Sequence, residues 1–271
     1  MKLDNVLVSV DDHVASITLN RPDKRNSIRP ELVADLFTAL DWLESQVEVR
    51  CLVIDAVGPA FCAGADLKDF SEEWVERAAR PSGEAIRGLL EMMTALSDLV
   101  HRLRGISYPV IAAVNGPAMG GGCNLALACD IRLATPSARF ASSFVKIGLS
   151  SAAMGGTYLL PRAIGEGRAL ELLLTGRDVT AEEADRIGLV NRVVPDEDLA
   201  DEVRSLAAEC AALPPLALAA TKRATRLNAT ATLEQTLALE AQLQAPLFLS
   251  SDHQEGMLAF LEKRRPAFEG R

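Results

Sequence analysis

The sequence predicts an α/β protein that ends in a helical extension. Three observations carry that prediction: β-type alternation near the N-terminus, apolar segments that switch between strand and helix spacing as far as Ala134, and helical patterning from Glu197 onward. The chain has 271 residues, 49% hydrophobic and 24% charged, enough for one large buried core and unlike a disordered or collagen-like composition.

Val6, Val8 and Val10 alternate with other residues, Asp11-Asp12-His13 supplies turn chemistry, and Val14 to Leu19 resumes the β-rich run, so the start reads as a hairpin that Arg21-Pro22 ends. Pro30 suits the first turn of a helix, and Leu32, Val33, Leu36, Phe37, Leu40 and Leu43 recur at helical spacing before a strand at Cys51–Val57. A loop from Gly58 to Asp69 follows, then a polar stretch around Arg80-Pro81-Ser82-Gly83 that reads as a lid. Ile86, Leu89, Leu90, Met93, Leu96, Val100 and Leu103 form one apolar helix face, and Pro109 separates that helix from the buried-type strand Val110–Val114. Next come a strand-to-helix turn at Asn115 to Gly122, an Ala/Leu-rich segment ending at Asp130 and a β-prone Ile131–Ala134. Leu213-Pro214-Pro215 and Pro246 punctuate the helical patterns of the last third. We therefore divide the chain into a core, 1–195, and a C-terminal helical region, 196–271.

Charge and cysteine content narrow the function classes. A net charge of −9 argues against nonspecific nucleic-acid binding. The five cysteines, Cys51, Cys62, Cys123, Cys129 and Cys210, are odd in number and contain no C-x-x-C pair, so neither a disulfide framework nor a metal site is expected. The N-terminus is acidic and strand-like, and no stretch reaches the length that spans a bilayer; together these predict a cytoplasmic protein without membrane insertion.

Two loops carry the chemistry. Phe61-Cys62-Ala63-Gly64-Ala65-Asp66-Leu67 and Gly120-Gly121-Gly122-Cys123 are small-residue turns placed between a strand and a helix. Small side chains let another group approach the backbone, and exposed N–H groups at a helix start favour negative charge. Three glycines alone fit a phosphate cradle or a tight packing turn equally well, but neither G-x-G-x-x-G nor a P-loop is present. If the two turns face each other, one N–H from each can grip a single carbonyl oxygen.

With both loops in place, the sequence resembles the crotonase, or enoyl-CoA hydratase/isomerase, superfamily. The resemblance runs through Leu19-Asn20-Arg21-Pro22, Phe61 to Leu67, Ile111 to Asp130, Tyr158 to Arg162, Leu174 to Arg177, Ala181–Val194 and Glu255 to Phe268. It implies a crotonase (ClpP-like) spiral of ββα units, a homo-trimer or hexamer built through the C-terminal helices, and a bound acyl-CoA thioester, with no cofactor beyond the CoA of that substrate. It further implies that the backbone N–H groups of Ala65 and Gly121 polarise the thioester carbonyl, and that Ala63 to Asp66 lie beside the CoA adenine. Arg25 and Lys263 match basic positions near the CoA phosphates; read as residues alone, each is equally a solvated surface charge. Lys263-Arg264-Arg265 is a basic cluster in an acidic chain, and in the family such a cluster can reach a neighbouring subunit's site.

The chain departs from the family at its acid/base residues. Hydratases of the family use two glutamates; here those positions hold Asn124 and Phe144, and an aspartate found further along the loop in some isomerases would fall near Ala152 or Ala153. No Asp or Glu lies between Ile131 and Gly165. Asp69, Glu72, Glu73 and Glu91 are the nearest alternatives, each read more readily as a solvated charge, and His13, His101 and His253 show no nucleophile or metal spacing. Asn124 is expected to bond the thioester or a substrate hydroxyl, or else to cap a pocket wall, the polar contact being the favoured reading, and Phe144 to fill and dry the pocket. Three functions stay open: an enzyme of the hydratase/isomerase class with atypical acid/base residues, a noncatalytic acyl-CoA-binding protein, or a crotonase-fold dehalogenase, hydrolase or decarboxylase.

Overall fold

A computed structural model describes residues 1–66 and 83–270. Strands β1 (Val6–Asp11) and β2 (Val14–Leu19) pair antiparallel, and the connecting Asp12 and His13 both adopt positive φ, the geometry of a tight hairpin turn. β3 (Cys51–Ala56) then joins β2 in parallel, after the return helix α1 (Pro30–Glu44) has covered the sheet with Leu32, Leu36, Leu40 and Leu43. Helix α2 (Gly83–Gly105) leads to β4 (Val110–Val114), a strand buried at all five positions because sheet neighbours flank it and both faces are covered.

Past β4 the chain turns through the short strand β5 (Ala118–Met119) into helix α3 (Gly121–Ala128), and returns through β6 (Ile131–Ala134). β7 (Arg139–Ala141) begins the segment that passes through a 3₁₀ turn at Ser143–Ile147 to α4 (Gly156–Ile164) and α5 (Glu166–Thr175). β8 (Val179–Thr180), α6 (Ala181–Arg186) and β9 (Arg192–Val193) complete the spiral. The main sheet has the order β1-β2-β3-β4-β6-β9, and a second sheet has the order β5-β7-β8. The second sheet has no counterpart in the sequence reading, because strands of two or three residues are too short to show a period.

Three expectations shift. The apolar face expected along α2 is buried only at Leu99, Val100 and Leu103, whereas Ile86 and Leu90 are exposed. Strand β3 ends at Ala56, one residue short of the expected Val57. The division at 195/196 falls just before α7 (Leu199–Ala211), whose Leu199, Val203, Ala207 and Ala211 pack on Cys51, Val53, Ile111, Ala113 and Leu133 of the main sheet. α7 is therefore a wall of the core, and the helices that stand clear of the sheet begin with α8 (Pro215–Leu227), followed by α9 (Leu233–Leu247) and α10 (Ser251–Glu262). Asp130 ties α8 back: it receives the Val110 N–H at 2.8 Å and pairs with Lys222 and Arg226 at 2.5 and 2.7 Å.

Candidate active site

The first small-residue turn is clamped from below by the loop that precedes α1. Arg25 and Asn26 both lie in the left-handed region, φ 50° and 54°, a conformation asparagine tolerates well. That backbone aims the fully buried Asn26 side chain at three backbone groups. Its Nδ2 donates to the Val57 and Ala60 carbonyls at 3.0 and 2.9 Å, and its Oδ1 accepts the Arg21 N–H at 2.7 Å. The Ala63 N–H donates to the Arg25 carbonyl, the Ile28 N–H to the Gly64 carbonyl and the Asp66 N–H to the Ile28 carbonyl. This parallel bridge engages groups of Gly64 and Asp66, so the N–H of Ala65 between them faces the other edge, with no backbone acceptor among the described residues. The buried Asp66 carboxylate accepts the Ser27 hydroxyl at 2.7 Å and lies 3.6 Å from the Arg21 guanidinium.

The second turn presses directly on the first. The Met119 N–H donates to the Cys62 carbonyl at 2.9 Å and the Gly120 N–H to the Ala141 carbonyl at 2.7 Å. Gly121 is then the first residue of α3, with no side-chain cap before it, and its N–H has no backbone acceptor among the described residues. Glycine is obligatory at the contact. A Cβ on Gly64, which has φ +84°, would stand 2.7 Å from the Met119 carbonyl oxygen and 3.6 Å from the Gly121 nitrogen, and one on Gly122 would stand 2.2 Å from the Cys62 carbonyl oxygen.

The walls are apolar. The Phe144 ring lies 3.6 Å from where a Gly120 Cβ would stand, and Ile28 and Met154 close over Gly121. The flanking thiols of Cys62 and Cys123 are pushed up to about 12 by burial, so neither is a nucleophile near neutral pH. The turn therefore offers helix-terminal and strand-edge N–H donors beside an apolar wall, an arrangement that can hold a developing oxyanion.

Of the residues expected here, Ala63, Ala65, Asp66, Gly121, Asn124 and Phe144 do gather around the paired turns. Asn124 does so differently from the expectation: it is 1% exposed, its Nδ2 donates to the Ala153 carbonyl at 2.9 Å, and it packs on Gly156, so its amide holds the 151–156 loop against α3. The Asp66 carboxylate is likewise committed within the protein. Arg25 is exposed, one residue from the clamp. Lys263 is exposed at the end of α10, and its neighbour Arg264 is taken by Glu255 and Glu262, so the tail cluster offers less free charge than its sequence suggests. Glu91 and His101 are exposed on α2. Of the expected lid around Arg80-Pro81-Ser82-Gly83, only Gly83, the first residue of α2, is among the described residues, and Leu67, Asp69, Glu72 and Glu73 also lie outside them. Asn26, Ser27, Ile28 and Met154 were missed; the only available signal was an Arg-Asn pair where a tight turn was needed. Among the described residues no single helix is long and apolar enough to cross a membrane.

Comparison with known proteins places these features in a family context. The family model described as enoyl-CoA hydratase/isomerase matches residues 9–271. A 1,2-epoxyphenylacetyl-CoA isomerase of Escherichia coli is 40% identical over 269 residues, covering 99% of this chain and 100% of that protein. A probable enoyl-CoA hydratase of Mycobacterium tuberculosis is 43% identical over 263 residues, covering 94% of this chain and 89% of that one. The solved structure of an enoyl-CoA hydratase from Bacillus anthracis superposes with a TM-score of 0.90 at 34% identity, covering 99% of this chain and 100% of that one. An enoyl-CoA hydratase/isomerase from Cupriavidus metallidurans gives 0.89 at 35% identity, with 100% and 99% covered.

Proposed function

The chain belongs to the enoyl-CoA hydratase/isomerase family, a crotonase-fold enzyme family, and we propose that it binds an acyl-CoA thioester with the carbonyl oxygen between the N–H groups of Ala65 and Gly121. The observation that carries this reading is the contact of the two turns, with both N–H groups lacking a backbone acceptor among the described residues. Each such donor, fixed before the substrate arrives, is typically worth about 3–4 kcal/mol to an enolate-like transition state. The clamp of Asn26, Ser27, Asp66 and Arg21 supplies the rigidity this needs. Arg25, exposed beside that clamp, is proposed to meet the CoA phosphates, and Lys263 to do so from a neighbouring copy in a trimer or hexamer. The exposed Phe248, Leu249, Phe260 and Leu261 support such an assembly.

Phe144 weighs on the choice of reaction within the class. An apolar ring against Gly120 leaves no carboxylate to activate water there, and Asn124 spends its amide on Ala153. Water addition needs one group to activate water and another to protonate carbon, whereas an isomerisation needs a single group to move one proton; the aspartate of some isomerases is also missing near Ala152 and Ala153, so we favour isomerisation with the proton carried by a group outside these positions. The E. coli relative's name is consistent with that choice. The engaged Asn124 amide equally favours a second reading, a binding protein that grips acyl-CoA without turnover. Incubation with crotonyl-CoA, a longer trans-2-enoyl-CoA and a trans-3-enoyl-CoA, followed at the conjugated-thioester absorbance beside calorimetric binding, tests both. A gain of absorbance from the 3-enoyl ester supports isomerisation; rapid loss from the 2-enoyl esters overturns it in favour of hydration. Tight binding with no change in any ester supports the second reading, and no binding sinks both.

A further inference from the structure

Away from the paired turns, α5 and α6 border a cavity of about 280 Å³. Three arginines line it: Arg168 from α5, Arg177 from the turn before β8 and Arg186 from the end of α6. Only two carboxylates, Glu171 and Glu183, join them, so the lining is net positive in a chain whose net charge is −9. Glu166, Glu182 and Asp185 sit on the same two helices but are exposed and do not line the cavity. The floor is apolar, built from the buried Leu172 and the half-buried Ile187.

The three arginines are not equivalent. Arg177 is fixed: its Nε donates to Glu171 at 2.7 Å, Nη1 and Nη2 donate to the two oxygens of Glu183 at 2.9 and 2.7 Å, and Nη1 also reaches the Asp178 carbonyl at 3.4 Å. Those bonds leave one of the five guanidinium N–H groups over. They also use both carboxylates of the lining. Arg168 and Arg186 make no ion pair or hydrogen bond among the described residues, so two arginines without a carboxylate of their own border the same cavity.

We propose that this cavity is a second ligand site, one that takes a small phosphomonoester. Two unpaired cations match the two charges of a phosphate dianion, and planar guanidinium groups meet its oxygens in pairs. The remaining Arg177 N–H adds a donor that its two glutamates hold in place before the ligand arrives, which lowers the ordering cost of binding. Leu172 and Ile187 receive the carbon body of the ester. The volume lies at the lower edge of small-molecule sites, about 300–1,000 Å³, and suits a ligand of a few carbon atoms rather than a CoA ester.

The test is calorimetric titration of the full-length protein with phenyl phosphate at pH 7.5, where the phosphate is close to doubly ionised, and at low ionic strength. Inorganic phosphate and benzoate are the comparison ligands, and each titration is repeated in the presence of an unreactive acyl-CoA thioester. The expected result is one site per chain that prefers phenyl phosphate to inorganic phosphate, which lacks the apolar body, and to benzoate, which lacks the second charge. Arg168→Gln and Arg186→Gln, both at exposed positions, should each weaken phenyl phosphate about tenfold while Tm and acyl-CoA affinity stay unchanged. No saturable binding, binding that survives the double variant, or displacement by the acyl-CoA thioester would each overturn the proposal. The titrations without thioester stand whether or not the paired turns bind one, so the two proposals fail separately.

Discussion

Gly122→Ala tests the contact between the two turns most directly. The added Cβ would stand 2.2 Å from the Cys62 carbonyl oxygen, 2.7 Å from its Cβ and 2.9 Å from its carbonyl carbon. Two of these three atoms are backbone, so no side-chain rotation relieves the overlap, and restoring ordinary contact requires the turns to part by about 1 Å. Overpacking of this kind costs about 1–3 kcal/mol of stability. The functional effect should be larger, since misplacing a catalytic group by about 1 Å costs roughly 10²-fold. The assay is the infrared carbonyl stretch of a bound, unreactive acyl-CoA thioester, which the paired donors should shift to lower frequency, read beside calorimetric affinity and a thermal melt. Gly88→Ala is the control, because its Cβ meets nothing within 4 Å on α2 and should stabilise by about 0.5–1 kcal/mol. A folded Gly122→Ala protein with the full carbonyl shift would refute the view that these turns grip the oxygen.

Replacing Gly121 by Pro removes an N–H donor and should abolish whatever turnover the wild type shows, measured with the thioester panel. Asn124→Ala should cost about 1–3 kcal/mol in urea unfolding, since it removes a buried amide, itself 1% exposed, from the Ala153 carbonyl. Asp130→Ala leaves Lys222 and Arg226 without their carboxylate and should lower stability by about 2–3 kcal/mol, detaching α8 first in hydrogen exchange. The thiols of Cys62, Cys123 and Cys129 stay protonated in the fold up to about 12, against 9.0 for an ordinary thiol. Unfolding therefore releases protons between those values, and melts across pH 8–12 should show stability intact below about pH 9 and falling above it.

Much of the fold was legible because its elements are long enough to show a period. The β1–β2 hairpin, α1 from Pro30 and the buried β4 were each read from spacing and turn residues alone. α2 was only half legible: its apolar pattern is continuous, yet Ile86 and Leu90 stay exposed, because periodicity reports an apolar face and not whether anything covers it. The same limit hides the packing of α7, whose amphipathic pattern looks like that of any surface helix until the sheet is present beneath it.

The site divides in the same way. Small residues at Ala63, Gly64, Gly121 and Gly122 are local requirements, set by φ and by close approach, and such requirements are written in the sequence. What the side chains do is not local. The Asn124 amide is held by the Ala153 carbonyl, twenty-nine positions on, and the Asp66 carboxylate lies against Ser27 and Arg21, partners that no local pattern announces. The sequence by itself determined the fold class, the two glycine turns and the absence of any Asp or Glu between Ile131 and Gly165. Only the tertiary structure decided that the turns touch and that Phe144 covers Gly120. The physical reason is that backbone conformation depends on neighbouring residues, whereas hydrogen-bond partners, burial and charge are set by segments that folding brings together from far along the chain.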